Sequence, residues 1–288
     1  MLAPPKRRQL LALAAMAIAP ATSLPAVGGA RAPQRPIRFG LTPVFLDDRI
    51  GLLSRWKAYL ADALAGEVEF VQRQTYAQIL DALREGQIEF GWICGYPFVL
   101  HEKQLRLVCV PRWQGAPRYR SYLIVPAGSE ARRLEDLSGR NFAFSDPLSN
   151  SGFLYVQYLL AQRGSDAQRY FRRSFFTWSH RHVVEAVAER LADGGAVDGY
   201  VWEAMTRIAP QLASATRVIH RSPEFGFPPI VAGPRASTAS VDAFRKALVA
   251  MPQDPRGREV LAELQLDGFG EEPRELFASI ARMAEALR

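Results

Sequence analysis

Short runs of alternating or wholly apolar residues recur from residue 37 onward and are separated by longer amphipathic stretches. The alternating run at residues 37–41 predicts a strand. Residues 49–64 place apolar side chains three and four positions apart and stop before Gly66, which predicts a helix. The core-facing side chains of this helix are expected to be Ile50, Leu53, Trp56, Leu60 and Leu64.

The same two patterns alternate through the rest of the chain. Further strands are predicted at residues 68–71, 89–94, 105–110, 119–125, 141–145, 175–178, 196–201 and 230–232. Further helices are predicted at residues 76–84, 97–103, 153–163, 182–192, 240–251, 256–264 and 272–287. Because strand–helix–strand units place parallel strands side by side, we expect an α/β fold with mostly parallel sheets and helices on both faces. Two α/β lobes are the natural division of such a chain.

The N-terminal segment, residues 1–32, has a different pattern. Consecutive basic residues from Lys6 to Arg8 precede an apolar run at residues 10–19, and small residues follow, which is typical of a secretory signal peptide. We therefore expect a mature N-terminus near Pro33 and a periplasmic location. The paired arginines leave both Sec and twin-arginine export open, and an uncleaved anchor is the weaker alternative.

Composition excludes several classes of protein. The chain has 288 residues, 48% of them hydrophobic and 23% charged. This composition excludes a collagen-like protein, a disordered protein and a polytopic membrane protein. Its formal net charge is +7, but removing the four basic residues of the signal segment leaves 32 Lys and Arg against 29 Asp and Glu. A net charge of +3 without a basic stripe does not indicate nucleic-acid binding.

Two cysteines, Cys94 and Cys109, lie in apolar strand-like stretches. An oxidising compartment would permit a disulfide between them. Buried free thiols are the commoner outcome for such positions, and this is the outcome we expect.

One strand–helix junction, residues 144–152, carries the clearest chemical signal. Ser149, Asn150 and Ser151 offer polar side chains at a predicted helix N-terminus, and Gly152 permits close approach of a ligand to the backbone. Free N–H groups, hydroxyls and the positive end of the helix together suit an oxyanion. A simple N-cap with a polar loop is the structural alternative.

Other junctions place polar or aromatic residues at the same kind of edge. Ser179 and His180 separate a predicted strand from a helix, and Tyr96 and Tyr76 follow two other strands. Open α/β sheets bind ligands at the carboxyl ends of their strands. A tyrosine hydroxyl beside an apolar wall would suit a small tetrahedral anion, although such tyrosines often only pack.

These features together resemble a known family. The run Asp-Pro-x-Ser-x-Ser-Gly at residues 146–152 is followed at the next junction by Ser179-His180, and further matching stretches lie at residues 39–43, 137–139, 196–199 and 225–231. In them the chain resembles the phosphonate- and phosphite-type substrate-binding proteins of ABC importers, which have the type II periplasmic-binding-protein fold. Asn150 stands where this family usually has Thr.

The resemblance implies a set of ligand contacts. Ser149, Asn150, Ser151 and His180 would bind the oxyanion from one lobe, with Tyr76 and Tyr96 reaching from the other. The remaining candidate binding residues are Thr42, Ser179, Asp198, Tyr200 and Trp202. If Tyr200 and Trp202 line the pocket, it accepts an organic substituent, and a cationic substituent gains cation–π attraction; core packing of both rings is the alternative.

The resemblance also implies a division of the chain and a function. One lobe would comprise residues 37–120 and 222–288 and the other residues 121–221, with strands near 119–125 and 217–221 forming a two-strand hinge. The protein would capture a phosphonate, phosphite, phosphate or related oxyanion and deliver it to an ABC permease. We expect a monomer without a cofactor.

The sequence lacks the motifs of several other functions. The four histidines lack zinc-ligand spacing, and neither a Gly-x-Ser-x-Gly nor a phosphate-loop or dinucleotide motif is present. Two alternatives stay open: a ligand-sensing subunit for a membrane kinase, and an enzyme on the same fold.

Overall fold

The strands segregate into two sheets. The computed structural model describes residues 1–2, 35–43 and 49–288, so residues 3–32 of the predicted signal segment lie outside the described residues. Within them the strands are β1 Ile37–Leu41, β2 Val68–Gln72, β3 Phe90–Trp92, β4 Arg106–Arg112, β5 Arg118–Tyr119, β6 Ser121–Pro126, β7 Asn141–Phe144, β8 Arg173–Phe176, β9 Gly194–Asp198, β10 Thr216–Arg221, β11 Phe225–Gly226, β12 Ile230–Ala232 and β13 Gly268–Gly270.

Helices connect most of these strands. They are α1 Ile50–Ala63, α2 Tyr76–Arg84, α3 Gly95–Leu100, α4 Tyr155–Ala161, α5 Ala167–Tyr170, α6 His180–Ala188, α7 Gly199–Ile208, α8 Pro210–Ser214, α9 Thr238–Val249, α10 Pro255–Leu264 and α11 Ala278–Glu285. Short 3-10 turns lie at Leu134–Leu137, Met251–Gln253 and Arg274–Phe277, and a π turn lies at Asn150–Leu154. No described helix is long and apolar enough to cross a bilayer.

The six-stranded sheet has the order β13-β4-β12-β3-β1-β2, and the five-stranded sheet the order β10-β6-β9-β7-β8. The predicted α/β two-lobe class is confirmed, but the sheets are mixed rather than mostly parallel. Strand β1 is parallel to β2 and β3, and β7 is parallel to β8 and β9, whereas β4, β6, β10, β12 and β13 pair antiparallel. Strand β4 leads out of the six-stranded sheet and β12 leads back into it, so the two run in opposite directions.

The chain crosses between the sheets twice. Strands β5 and β11 form a two-stranded antiparallel ribbon in which Tyr119 is paired with Phe225. The strands predicted as the hinge lie next to this ribbon, as β6 and β10 of the five-stranded sheet. Strands from residues 37–112 and 230–270 form one sheet and strands from 121–221 the other. The lobe boundaries themselves stay a prediction. The division of the strands between the two sheets agrees with that prediction.

Helix α2 shows how local signals set an element. The Thr75 hydroxyl accepts a hydrogen bond from the Gln78 N–H at 3.3 Å, and the Gln78 side chain accepts one from the Thr75 N–H in return, which completes a capping box. Gly86, with φ of +69°, takes the left-handed conformation that ends the helix. The predicted bounds of this helix are confirmed.

Helix α1 and the strand predicted at 196–201 need correction. In α1 the buried side chains are Leu52, Trp56, Tyr59 and Leu60, whereas Ile50 is 76% exposed at the helix start. The strand predicted at 196–201 ends at Asp198, and helix α7 begins at the next residue. The Asp198 carboxylate accepts hydrogen bonds from the N–H groups of Tyr200 and Val201, and this N-cap ends the strand.

Aromatic side chains fill the core beneath each sheet. Under the six-stranded sheet Phe90 stacks on Phe244 with ring centroids 4.0 Å apart. Under the five-stranded sheet Phe142 stacks on Phe171 at 4.3 Å. Both cysteines are buried and free, as predicted. These cores hold the strand ends, and the loops that follow them, in fixed positions.

Candidate ligand-binding site

Buried polar side chains concentrate at the carboxyl ends of β7, β8 and β9. These strands are neighbours in the five-stranded sheet, and each leads into a helix or helical turn. The buried polar residues of these junctions are Ser145, Asp146, Ser149, Asn150, Ser151, Ser179, His180 and Asp198. Since burying polar groups is costly unless they are paired, this concentration points to a site that a ligand completes.

The loop after β7 is folded tightly around Ser149. The Ser149 hydroxyl accepts a hydrogen bond from the Gly152 N–H at 2.9 Å, and its carbonyl accepts one from the Leu154 N–H at 2.9 Å. The predicted helix at 153–163 therefore begins earlier, with the π turn, as Ser149 caps it. A Cβ on Gly152 would lie 2.8 Å from the Ser145 Cβ and 3.0 Å from the His180 Cε1, so glycine is needed for this close approach.

His180 is a neutral donor at the edge of this loop. Its Nδ1 accepts a hydrogen bond from the Asp198 N–H at 3.1 Å, so the ring proton is assigned to Nε2. Burial lowers the pKa of His180 to about 3, which keeps the ring uncharged at neutral pH. Nε2 lies 3.4 Å from the Ser149 Oγ, so a ligand oxygen at this point would meet both groups.

Three buried polar atoms in the loop have no hydrogen-bond partner among the described residues. They are the Ser145 Oγ, the Asn150 Oδ1 and the Ser151 Oγ. Leaving such an atom unpaired costs about 1–3 kcal/mol. Two of the three belong to predicted site residues, and Ser145 is an addition that its place directly after β7 could have indicated.

The six-stranded sheet reaches the same loop through different groups. The Asn150 N–H donates to the Cys94 Sγ at 3.2 Å, and the Asn150 side-chain amide donates to the Tyr119 hydroxyl at 3.0 Å. The Tyr76 N–H donates to the Asp146 carboxylate at 3.1 Å. Sequence reasoning missed Cys94 and Tyr119; the place of Cys94 after β3 was a usable signal, whereas nothing local marks Tyr119.

The charged groups of the site are acids. Burial raises the pKa of Asp198 to about 7, opposed by the N–H groups of Val201 and Tyr200. Burial also raises the pKa of Asp146, opposed by the N–H groups of Leu148 and Tyr76. In the part of the chain that the structure describes, no Lys or Arg is buried. An anion would therefore be held by neutral donors and helix N-termini, and the acids would favour a ligand that carries a proton.

Two predicted pocket aromatics are engaged in packing. The Tyr200 hydroxyl donates to the Leu264 carbonyl at 2.6 Å, and its ring packs edge-on against Phe227. The Trp202 Nε1–H donates to the Thr216 hydroxyl at 3.0 Å. Both rings are thus engaged in packing, which was the alternative to lining the pocket.

Three other predicted residues lie around the site. Thr42, directly after β1, donates its hydroxyl to the Trp92 carbonyl at 3.2 Å. Tyr96 is half-buried; burial raises its pKa, and the charge of Arg288 opposes that effect. Ser179 is buried next to His180. Among the described residues no group of three or more His, Cys, Asp or Glu could hold a metal ion.

Comparison with known proteins identifies the family to which the chain belongs. Residues 39–274 match the family described as ABC transporter, phosphonate, periplasmic substrate-binding protein. The phosphate-import protein PhnD of Mycolicibacterium smegmatis is 29% identical over 141 residues, which cover 45% of this chain and 44% of that protein. The probable ABC transporter phosphite binding protein PhnD1 of Prochlorococcus marinus is 23% identical over 188 residues, or 62% of each chain. The matches thus span less than two thirds of both curated relatives.

Solved structures show the same fold. A binding protein component of an ABC phosphonate transporter from Pseudomonas aeruginosa has a TM-score of 0.81 at 22% identity, covering 87% of this chain and 86% of that one. PhnD1 from Prochlorococcus marinus in complex with methylphosphonate has a TM-score of 0.78 at 18% identity, covering 87% and 97%.

Proposed function

Since the chain belongs to the periplasmic phosphonate substrate-binding proteins of ABC transporters, we propose that it captures a tetrahedral phosphorus oxyanion between its two lobes. The ligand is a phosphonate, phosphite or phosphate, and the loaded protein delivers it to a membrane permease. The chain acts by binding, and no bond is made or broken.

The observation that carries this proposal is the buried loop after β7. Ser145, Asn150 and Ser151 each hold an unpaired polar atom there, beside the Ser149 hydroxyl and the neutral His180. Hydroxyl and imidazole N–H donors match the oxygens of a tetrahedral anion. A protonated ligand oxygen in turn finds acceptors, since the Asn150 Oδ1 is unpaired in the described structure.

Closure of the lobes is coupled to binding through the same loop. Asp146 and Asn150, which flank Ser149, make the hydrogen bonds to Tyr76 and Cys94 of the six-stranded sheet. A ligand that orders this loop therefore favours the arrangement in which the two sheets meet across it. The closed form presents a different surface from the open form, and a permease can distinguish the two.

Family membership places the protein outside the cytoplasm. We further propose that residues 1–32 direct its export, by the Sec or the twin-arginine route, and that residues 37–120 with 222–288, and residues 121–221, are the two lobes. The strands near residues 119–125 and 217–221, next to the β5–β11 ribbon, act as the hinge.

Calorimetric titration of the chain beginning at Pro33 tests the ligand. Methylphosphonate, phosphite and phosphate are titrated in turn, with sulfate as a tetrahedral anion that carries no proton at neutral pH. We expect at least one phosphorus oxyanion to bind more tightly than sulfate. The double variant Ser149→Ala, Ser151→Ala should lose about 1–3 kcal/mol of binding free energy, because two hydroxyls are removed and ligand oxygens are left unpaired.

A matched variant controls for the loss of serine itself. Ser214 is exposed, and its hydroxyl bonds only the Gln211 carbonyl of its own helix among the described residues. Ser214→Ala should leave affinity unchanged. Unaltered affinity in a folded double variant, or failure of every phosphorus oxyanion to bind the wild type, would contradict the proposal.

A further inference from the structure

A cavity of about 610 Å³ lies where three strand ends from the two sheets meet. Pro43 follows β1, Gln72 ends β2, and Thr177 follows β8. The described residues that line the cavity are Pro43, Gln72, Arg73, Gln74, Thr75, Thr177, Trp178, Ser179 and His182. The carboxyl ends of strands are where open α/β sheets take ligands, and this cavity lies at such ends of both sheets.

The cavity is adjacent to the anion-binding loop on both of its walls. On one wall Ser179 directly precedes His180, and on the other Thr75 directly precedes Tyr76, whose N–H reaches Asp146. A tetrahedral phosphorus group bound by hydroxyls and His180 through its oxygens has one further vertex. In a phosphonate that vertex is carbon, and this cavity is the space that the described residues leave for its substituent.

Trp178 gives the cavity a flat aromatic wall. Its side chain is 44% exposed, an unusual fraction for so large an apolar group, and its backbone adopts φ of +63°. Such a conformation is strained for a residue with a side chain and is kept where the surroundings hold it. The Trp178 N–H donates to the Ser145 carbonyl at 2.6 Å, and its ring lies 5.8 Å from that of Phe176. The Trp178 backbone and ring are thus held in position, while part of the indole surface stays exposed.

The charges around the cavity select among substituents. Arg73 lines the cavity and supplies a positive charge, and none of the described lining residues is acidic. A cationic substituent would meet like charge there, whereas a planar uncharged or anionic one would meet the indole face and the guanidinium. This differs from the sequence-based hypothesis that Tyr200 and Trp202 accept the substituent, in which a cationic group would gain cation–π attraction.

We infer that this cavity is a subsite for the organic substituent of the ligand, and that it selects phosphonates bearing a planar aromatic group through stacking on Trp178. The inference rests on the proposed function, because the phosphonate end is held by the loop after β7.

Calorimetry with three probes tests the subsite: methylphosphonate, phenylphosphonate and 2-aminoethylphosphonate. In the wild type we expect phenylphosphonate to bind about tenfold more tightly than methylphosphonate, and the aminoethyl compound to bind more weakly than the phenyl compound. In Trp178→Ala the ratio of phenyl to methyl affinity should fall about tenfold. Alanine keeps a Cβ at this strained position, so the backbone cost is unchanged. Leu191→Ala, which removes another exposed apolar side chain, should keep the wild-type ratio.

The outcomes separate the two proposals. If methylphosphonate binds but the phenyl compound gains nothing, or if the ratio survives in Trp178→Ala, the subsite is wrong and the anion site stands. If phosphite or phosphate binds the wild type but no phosphonate does, the subsite is wrong and the anion site stands. If no phosphorus oxyanion binds the wild type, both are wrong. Should Trp178→Ala fail to fold, Arg73→Ala replaces it with a carboxyl-bearing probe, 4-phosphonobenzoate. An unchanged ratio of its affinity to that of phenylphosphonate would then overturn the subsite.

Discussion

The two sheets contribute to one site in different ways. At the five-stranded sheet the groups that we propose to face the ligand are side chains, and Ser149, Asn150, Ser151 and His180 are each at most 1% exposed. At the six-stranded sheet the contacts to the same loop come from the Tyr76 main-chain N–H and the Cys94 thiol. One sheet carries the donors, and the other covers them.

This difference indicates an order of events. The donors of the five-stranded sheet share one loop and two helix starts, so they are in place before the sheets close. The six-stranded sheet bonds to Asp146 and Asn150 rather than to a separate set of ligand donors. We therefore expect ligand identity to be set mainly by the lobe of the five-stranded sheet, and the stability of the closed form by both lobes.

The largest expected effect concerns the acids of the donor side. Burial raises the pKa of Asp198 to about 7, above its value in the unfolded chain, so between about pH 4 and 7 the folded state keeps a proton that the unfolded state has released. Stability therefore falls as pH rises through this interval and levels off above it. Asp198→Asn retains the capping oxygen but cannot ionise. Between pH 5 and pH 8 the wild type should lose on the order of 2–3 kcal/mol more unfolding free energy than this variant.

Denaturant unfolding at the two pH values measures this difference. Other titrating groups, including Asp146, are present in both proteins and cancel in the comparison. Equal pH dependence of wild type and variant would show that Asp198 is not the buried acid described above.

The next effect breaks the donor side directly. Gly152→Ala would press a methyl group against Ser145 and His180, and overpacking of this kind costs about 1–3 kcal/mol. We expect affinity for the phosphorus oxyanion to fall at least tenfold. Adding Ser145→Gly removes the nearest obstructing atoms and should restore part of the affinity. Gly66→Ala is the control, because a Cβ there has only one ordinary contact, at 3.8 Å. Normal binding by Gly152→Ala would mean that the loop does not hold the ligand.

The smallest effect sharpens the role of the covering side. Cys94→Ala removes the acceptor of the Asn150 N–H, which should cost about 0.5–1.5 kcal/mol and weaken ligand binding two- to tenfold. Cys109 is equally buried and free but has no hydrogen bond to the loop among the described residues, so Cys109→Ala should lower stability without changing affinity. Equal affinities of the two variants would show that the Cys94 contact does not support ligand binding.

Much of this arrangement could be predicted from local signals. Helix α2 follows from Thr75 and Gly86, and the loop at 145–152 follows from polar residues between a strand and a helix. The strand predicted at 196–201 was extended too far, because Asp198 is a common N-cap residue and already marked a possible helix start. The capping bonds of Asp198 show that the strand ends there.

The contacts between the sheets were beyond sequence reasoning. Asn150 meets Cys94 and Tyr119, which lie 56 and 31 positions away along the chain. Such pairs depend on how elements of the two sheets meet, and no periodicity along the chain encodes that. Trp178 was placed in a strand, and its exposed position in the cavity depends on a left-handed backbone that side-chain patterns do not reveal.

The placement of β12 has a consequence for how the chain folds. All strands of the five-stranded sheet lie within residues 121–221, but β12, at Ile230–Ala232, is inserted between β3 and β4 in the middle of the six-stranded sheet. Because the chain is synthesised from its N-terminus, the five-stranded sheet can be complete while the six-stranded sheet still lacks its central strand β12. Until Ala232 is available, β3 and β4 each expose an unpaired edge, which is a template for aggregation. The lobe whose synthesis starts first is thus the last to be finished, and we expect it to be the part most dependent on protection during export.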